Sequence, residues 1–362
     1  MLGRVVAVLS VCSLVAPGAQ TTAAAPQEPF RSQATEVIVP VTVVDEKTGK
    51  FVSNLDAKDF KIFDEGKEQQ IQFFTRERDQ PVVIGFLLDL SNASRIHWKA
   101  YSESAQELIS NLLPNDPKYS GYLISYSTDA ELVVNTTHDP EKLLEKLRKL
   151  KPGGGAALYD AIYMACTSRK LVKGEPIEPR RIIVVIGDGH DTASKKSLQE
   201  VLELAQRNLV TVYGVSTMSF GFTAEGDKNL RRLAEETGGR VEYPLENVYK
   251  DVIGYLEKPS DAGNYAMSVG TGAYASQIAQ GMFRAIANVA GEVTTQYIIR
   301  YTPQDVDTEK VFRNIRVDVP ALPGVKIRTR RGYFPTGPPT PPAGAPASAA
   351  GPPSAPAAAA AK

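Results

Sequence analysis

Val82-Val83-Ile84-Gly85-Phe86-Leu87-Leu88 is an unbroken apolar run of strand length that ends abruptly in Asp89. A strand without polar alternation has to be buried on both faces, the condition of a parallel sheet covered by helices. In open α/β sheets, ligands bind just beyond the carboxyl ends of such strands. The residues at that place are Asp89-Leu90-Ser91-Asn92-Ala93-Ser94. The pattern Asp-x-Ser-x-Ser there would supply oxygen ligands to a hard divalent cation, and in this chain its last position holds Ala93.

The region 82–257 continues as alternating strands and helices, the pattern of a doubly wound, mostly parallel α/β sheet. Trp98, Tyr101, Ala105, Leu108, Ile109 and Leu112 share one face of a helix. Residues 119–134 supply strand material with a polar break at Ser127-Thr128-Asp129. Asp139-Pro140 is an N-cap followed by proline at the first helical position, with Leu143, Leu144, Leu147 and Leu150 as the apolar stripe behind it. Ile182-Ile183-Val184-Val185-Ile186 and residues 209–215 are further buried strands, and a helix over 228–237 stops at Gly238-Gly239. Residues 258–272 form a loop insertion, and Ile278, Met282, Phe283, Ile286 and Val289 mark a last amphipathic helix.

The flanks are of a different kind. Residues 36–78 read as β structure: a β-branched strand over 36–44, a strand at Asp59-Phe60-Lys61-Ile62-Phe63, a turn at Asp64-Glu65-Gly66-Lys67 and a strand at Gln70-Ile71-Gln72-Phe73-Phe74. Three more strands are expected over 295–301, 312–319 and 325–330. Each set is too small to hold a core alone, so the two are expected to pair as one composite β domain split by the α/β domain. The expected organisation is a signal peptide over 1–25, a β segment over 36–78, the α/β domain over 81–292, a second β segment over 293–334, and a Pro/Ala-rich tail over 335–362. Residues 5–16 are an apolar run behind Arg4, of signal-peptide length and too short to span a bilayer. Val11 before Cys12 disfavours lipidation there. The expected location is secreted, periplasmic or at the cell surface, with no transmembrane segment after signal removal.

The 41 basic and 41 acidic residues leave no formal net charge, so nothing points to nucleic acid as a partner. Past the signal, Cys166 is the one cysteine, which rules out an internal disulfide, and its apolar helix reads as core. Gly153-Gly154-Gly155 lacks the Lys-Ser/Thr of a phosphate loop, and no Gly-x-Ser-x-Gly elbow is present.

In a parallel sheet three strand-end segments converge: residues 89–94, the glycine-rich 151–160, and Gly187-Asp188-Gly189-His190-Asp191. Together they resemble the von Willebrand factor A-type domain, and more closely its VWFA-related form in secreted bacterial proteins of acidobacterial type. The flanks carry that likeness too, in Val39-Pro40-Val41-Thr42-Val43, Leu158-Tyr159-Asp160-Ala161-Ile162, Leu233-Ala234-Glu235-Glu236-Thr237-Gly238-Gly239, Gln296-Tyr297-Ile298-Ile299-Arg300-Tyr301 and Arg330-Arg331-Gly332-Tyr333-Phe334. The resemblance implies a metal-ion-dependent adhesion site in which Asp89 and Ser91 match the first two ligands and Asp188 the strand-end aspartate. Ala93 and Ala156 stand where the family has Ser and Thr, so the site is degenerate. Mg²⁺, Mn²⁺ or Ca²⁺ is then expected to bind weakly or not at all, with Ser94 and Asn92 as substitute donors. The expected function is non-enzymatic adhesion: a protein ligand docks on the loops above the C-terminal sheet edge, through a carboxylate of its own. The alternatives are a metal-dependent hydrolase built on Asp89, Asp188 and His190, and a scaffold whose β domain does the binding.

Overall fold

The structure is a computed structural model that describes residues 36–76, 81–95, 98–167, 179–216, 225–244, 272–304 and 311–335. The expected signal peptide, nearly all of the 258–272 insertion and the Pro/Ala tail lie outside the described residues. The N-terminal flank forms β1 (Val37–Asp45), β2 (Lys61–Asp64), β3 (Lys67–Gln69) and β4 (Phe73–Arg76). The middle of the chain alternates through β5 (Val82–Asp89), α1 (Trp98–Leu112), β6 (Tyr119–Tyr126), β7 (Ala130–Thr137), α2 (Pro140–Leu147) and α3 (Leu158–Thr167). It continues through β8 (Arg180–Gly187), α4 (Leu198–Arg207), β9 (Val210–Ser216), α5 (Glu225–Thr237), β10 (Val241–Glu242) and α6 (Gly272–Thr295). The C-terminal flank adds β11 (Tyr297–Tyr301), β12 (Arg313–Asp318), β13 (Val325–Thr329) and β14 (Gly332–Tyr333).

The central sheet has the order β10-β9-β8-β5-β6-β7, with every pairing parallel except the β6–β7 hairpin. All eight residues of β5 are buried. Val82, Ile84, Phe86 and Leu88 face a core built with α1, α2 and α6, while Val83 and Leu87 face one built with α3, α4 and α5. Period-two alternation thus feeds two cores, which is why no polar residue interrupts the run. Chain order reverses between β5 and β8, so a crevice opens beyond their carboxyl ends.

The flanks pair across the whole middle region. The sheet β13-β1-β11-β4 takes β1 and β4 from the N-terminal side and β11 and β13 from the C-terminal side. The sheet β14-β12-β2-β3 does the same. Val39, Val41, Phe60, Ile62, Tyr297, Ile299 and Val317 belong to the single core that both sheets share. Charged groups join this unit to the α/β layers. Glu292 of α6 is fully buried and accepts two hydrogen bonds from Arg328 of β13, at 3.1 and 2.9 Å, with Arg240 at 3.1 Å. Arg180, at the start of β8, donates to the Val293 carbonyl at 2.9 Å and to the Gln296 side chain.

Three expectations shift. The strand expected over 70–74 begins only at Phe73, as β4, while Lys67–Gln69, partly expected as turn, is strand β3, which closes a hairpin with β2 in the other sheet. The hairpin turn is Glu65-Gly66, both at positive φ, which fits a two-residue loop. Phe283 is 60% exposed, on the outer side of α6, whereas Met282, Ile286 and Val289 are buried. The helix expected from 228 begins at Glu225. Cys166 is buried as expected, and burial pushes its thiol up to about 12, out of reach of nucleophilic chemistry at neutral pH.

Candidate functional site

Asp89 is the last residue of β5, and its side chain sits at the sheet's reversal point with 4% exposure. The Ser91 amide donates to its Oδ1 at 2.7 Å. The Ser91 and Ser94 hydroxyls are its side-chain hydrogen-bonding neighbours. Burial raises the Asp89 carboxyl to about 6, against the pull of the Ser91 amide, and the nearby charge of Asp188 raises it further. Asp188 follows the adjacent strand β8. The His190 amide donates to its Oδ1 at 2.9 Å, and His190 Nδ1 lies 3.0 Å from its Oδ2. Among the described residues, no lysine or arginine pairs with either carboxylate.

The 89–94 loop closes as a 3-10 turn over Asn92–Arg95, with the Ser94 amide donating to the Ser91 carbonyl at 3.1 Å. This turn decides which side chains reach the site. Ser94 is buried at 2% exposure with its hydroxyl turned to the Asp89 carboxyl, while Ala93 and Asn92 are exposed. The Asn92 backbone amide donates to the Gly154 carbonyl at 3.1 Å. Of the two substitute donors read from the sequence, the fold brings Ser94 in and leaves Asn92 out.

The glycine-rich loop lies across this turn, with the Gly153 amide donating to the Leu90 carbonyl at 2.6 Å. Ala156 is buried and clamped to the 190s loop. Its amide donates to Thr192 Oγ1 at 3.0 Å, and its carbonyl accepts from the Thr192 and Ala193 amides at 2.8 and 3.0 Å. The Gly155 amide donates to Thr128 Oγ1 at 3.2 Å. Two threonine hydroxyls from other loops therefore stand beside a position that itself offers a methyl group. Asp191 is a structural cap: its Oδ2 accepts from the Tyr159 amide at 2.9 Å, at the start of α3. Gly189 has φ +80, and a side chain there would drive into the Gly226 carbonyl, so the turn after Asp188 needs glycine for α5 to approach.

The central sheet thus has one antiparallel edge and carries Asp89, Ser91 and Asp188 at its reversal point. Residues 84–251 match the family model of the von Willebrand factor type A domain. Several solved structures resemble the chain. An aerotolerance-related membrane protein from Bacteroides fragilis is 21% identical over 44% of this chain and 90% of its own, with a TM-score of 0.35. A von Willebrand factor type A protein from Catenulispora acidiphila is 14% identical over 62% of this chain and 49% of its own, with a TM-score of 0.39. The protein BatB from Bacteroides thetaiotaomicron is 21% identical over 48% of this chain and 96% of its own, with a TM-score of 0.36. No curated protein matches the chain.

The vWA site contains one more group that the sequence does not reveal. Tyr126 ends β6, is fully buried, and its hydroxyl has no partner. Burial holds the phenol well above its usual value, and the charges of Asp89, Asp188 and Asp191 push the same way. A Cβ on Gly187 would collide with the Tyr126 hydroxyl and lie 2.8 Å from Asp89 Cβ, so tyrosine and carboxylate crowd the same glycine. The alternation of β6 places Tyr126 inside, but only the three-dimensional meeting with Gly187 places it at the site. The donor set, two carboxylates with buried serine hydroxyls, is the oxygen chemistry of a hard divalent cation. Among the described residues no group of three or more His, Cys, Asp or Glu is placed to hold a metal ion of any kind, so a cation here would rest on two carboxylates and hydroxyls alone.

Proposed function

We propose that the chain is a secreted or cell-surface protein-binding module that docks its partner on the loop rim around Asp89. Domains of this family typically mediate contacts between proteins. The observation that carries the reading is a buried carboxylate, Asp89, at the reversal point of the sheet, beside the second carboxylate of Asp188 and with the Ser91 and Ser94 hydroxyls as its side-chain hydrogen-bonding neighbours. A purely structural buried aspartate would more commonly be held by a cation. The rim above it is made of exposed Asn92, Ala93, Thr128, Asp129, Gly153, Gly154 and Thr192, short side chains that leave the loop backbone open to a partner. Among the described residues, no helix is long and apolar enough to cross a membrane.

Asp89, Ser91, Ser94 and Asp188 are the residues that would hold a divalent cation here. Such an ion would supply a positive centre able to accept a carboxylate from the partner. The chain's own contribution is to fix Asp89 through the Ser91 amide, to bury Ser94 through the 3-10 turn and, among the described residues, to pair neither carboxylate with lysine or arginine. With Ala93 exposed and Ala156 a methyl, fewer protein oxygens are available than in the family pattern, which supports weak binding. Calorimetric titration of Mg²⁺ and Mn²⁺ into the full chain, with Asp89→Asn alongside, tests the reading. Saturable heat from the native chain and none from the variant is expected. Absence of heat, or equal heat from both, would sink the cation.

A further inference from the structure

The opposite pole of the molecule holds a cavity of about 60 Å³ where β8 and β9 begin and the β-sandwich abuts the α/β layers. Its walls include Ile38 and Pro40 of β1, Ile298 of β11 and Leu209 ahead of β9, together with Arg180, Arg181 and Arg330. A volume of that size holds about four waters, or a small organic molecule in their place.

Arg330 gives the cavity its chemistry. The residue is 5% exposed, its Nε donates to the Gly332 carbonyl at 2.7 Å, and its Nη2 donates to the Gln206 carbonyl at 2.9 Å. Among the described residues, no carboxylate pairs with it and Nη1 makes no hydrogen bond. Desolvation drags the guanidinium down to about 10, with only the Tyr301 and Tyr333 phenols acting the other way. Arg313, the other buried arginine of the sandwich, sits 2.9 Å from Asp64 instead. A buried cation without a counter-charge is costly, and an anion delivered from solvent would relieve it. The walls restrict which anion. Pro40, Ile38, Ile298 and Leu209 are apolar, so a fully hydrated ion would lose water without replacement there, whereas an aliphatic stem would bury its carbons. Leu209 has φ +55 and is 44% exposed at the cavity's rim, a strained backbone that holds an apolar side chain out of the core.

We propose that this cavity is a second ligand site, taking a small aliphatic carboxylate between acetate and butyrate in size, with Arg330 as its counter-charge. It is independent of the Asp89 site: Arg180 opens β8 and Asp188 follows its far end, roughly 25 Å away at strand rise.

Titration calorimetry of acetate, propionate and butyrate into the full chain tests this, with butyramide and sodium chloride as the uncharged and plain-anion controls. Propionate and butyrate are expected to bind with Kd on the order of 1–10 mM, the range open to so few atoms, and the controls to give no saturable heat. Arg330→Gln is expected to abolish the signal. Because that residue is buried, a matched pair at the rim keeps the test independent of folding. Leu209→Asp and Leu209→Asn both tolerate positive φ and differ only in charge. Butyrate should bind about tenfold more weakly to the aspartate variant, by repulsion near the mouth. Failure of every carboxylate to saturate, an equal response to chloride, or equal affinity in the two Leu209 variants would overturn the proposal.

Discussion

Asp64 and Asp89 are both buried aspartates at the ends of strands, yet they stand in opposite conditions. Asp64, in the β-sandwich, is met by Arg313 Nε at 2.9 Å and by the hydroxyls of Tyr301 and Tyr333 at 2.9 and 2.8 Å. Asp89, at the end of β5, receives the Ser91 amide at 2.7 Å and otherwise only the Ser91 and Ser94 hydroxyls, with no cation among the described residues. One carboxylate is sealed by three donors that the chain itself supplies. The other is kept desolvated, next to a second carboxylate, without a cation. The contrast separates a carboxylate that holds a fold together from one held ready for something outside the chain.

The largest expected effect is on the sealed side. Arg313→Met leaves Asp64 charged and buried without its cation and should cost about 3–5 kcal/mol in urea unfolding. A loss below about 1 kcal/mol would mean that the two tyrosines suffice. On the open side the sign reverses. The folded carboxyl of Asp89 titrates near 6 and the unfolded one near 3.8, so the folded state holds the proton more tightly and ionisation opposes folding. Stability in EDTA should therefore fall as pH rises between about 4 and 6, by up to about 3 kcal/mol, and stay low above that. Asp89→Asn removes this slope, and the variant should be the more stable protein at pH 7 while losing any response to Mg²⁺. Equal pH profiles for the two proteins would erase the distinction drawn here.

A matched substitution gives a finer comparison. Tyr301→Phe deletes a hydrogen bond to a buried carboxylate and should cost about 1.5–3 kcal/mol. Tyr126→Phe deletes a hydroxyl that has no partner and should change stability by less than about 0.5 kcal/mol. The smallest effect is expected from Ala93→Ser. It restores the family pattern on paper, but position 93 faces solvent, so Mg²⁺ affinity should stay within about twofold. Ser94→Ala should lower it about tenfold, as read by the same calorimetry.

The legible parts of the molecule are those where one residue property decides the outcome. An apolar run such as Val82 to Leu88 can only be doubly buried, and Asp89 after it can only lie at the sheet's edge. The turn after β2 is legible, but the position of its second strand is not, because Lys67-Glu68-Gln69 carries no apolar alternation and is held by the turn and by backbone pairing with Ile62 to Asp64. Phe283 misleads because an apolar side chain one position beyond Met282 points about 100° away around the helix. At the site, Asp89, Ser91 and Asp188 could be read from the sequence, since strand ends are visible there. The choice of Ser94 over Asn92 as substitute donor could not, because it depends on a 3-10 turn rather than on spacing. Nor could Tyr126, whose place depends on the side chain that Gly187 lacks.

The pairing of the two flanks has a consequence in time. Val37 of β1 lies opposite Tyr301 of β11, a partner that is synthesised about 260 residues later. At roughly 5–20 residues per second, the β-branched first strand waits about 13–50 s with both edges open. During that wait it is the most adhesive segment of the nascent chain. The order of manufacture thus makes the sandwich the last part to close and the likeliest point of entry for a chaperone.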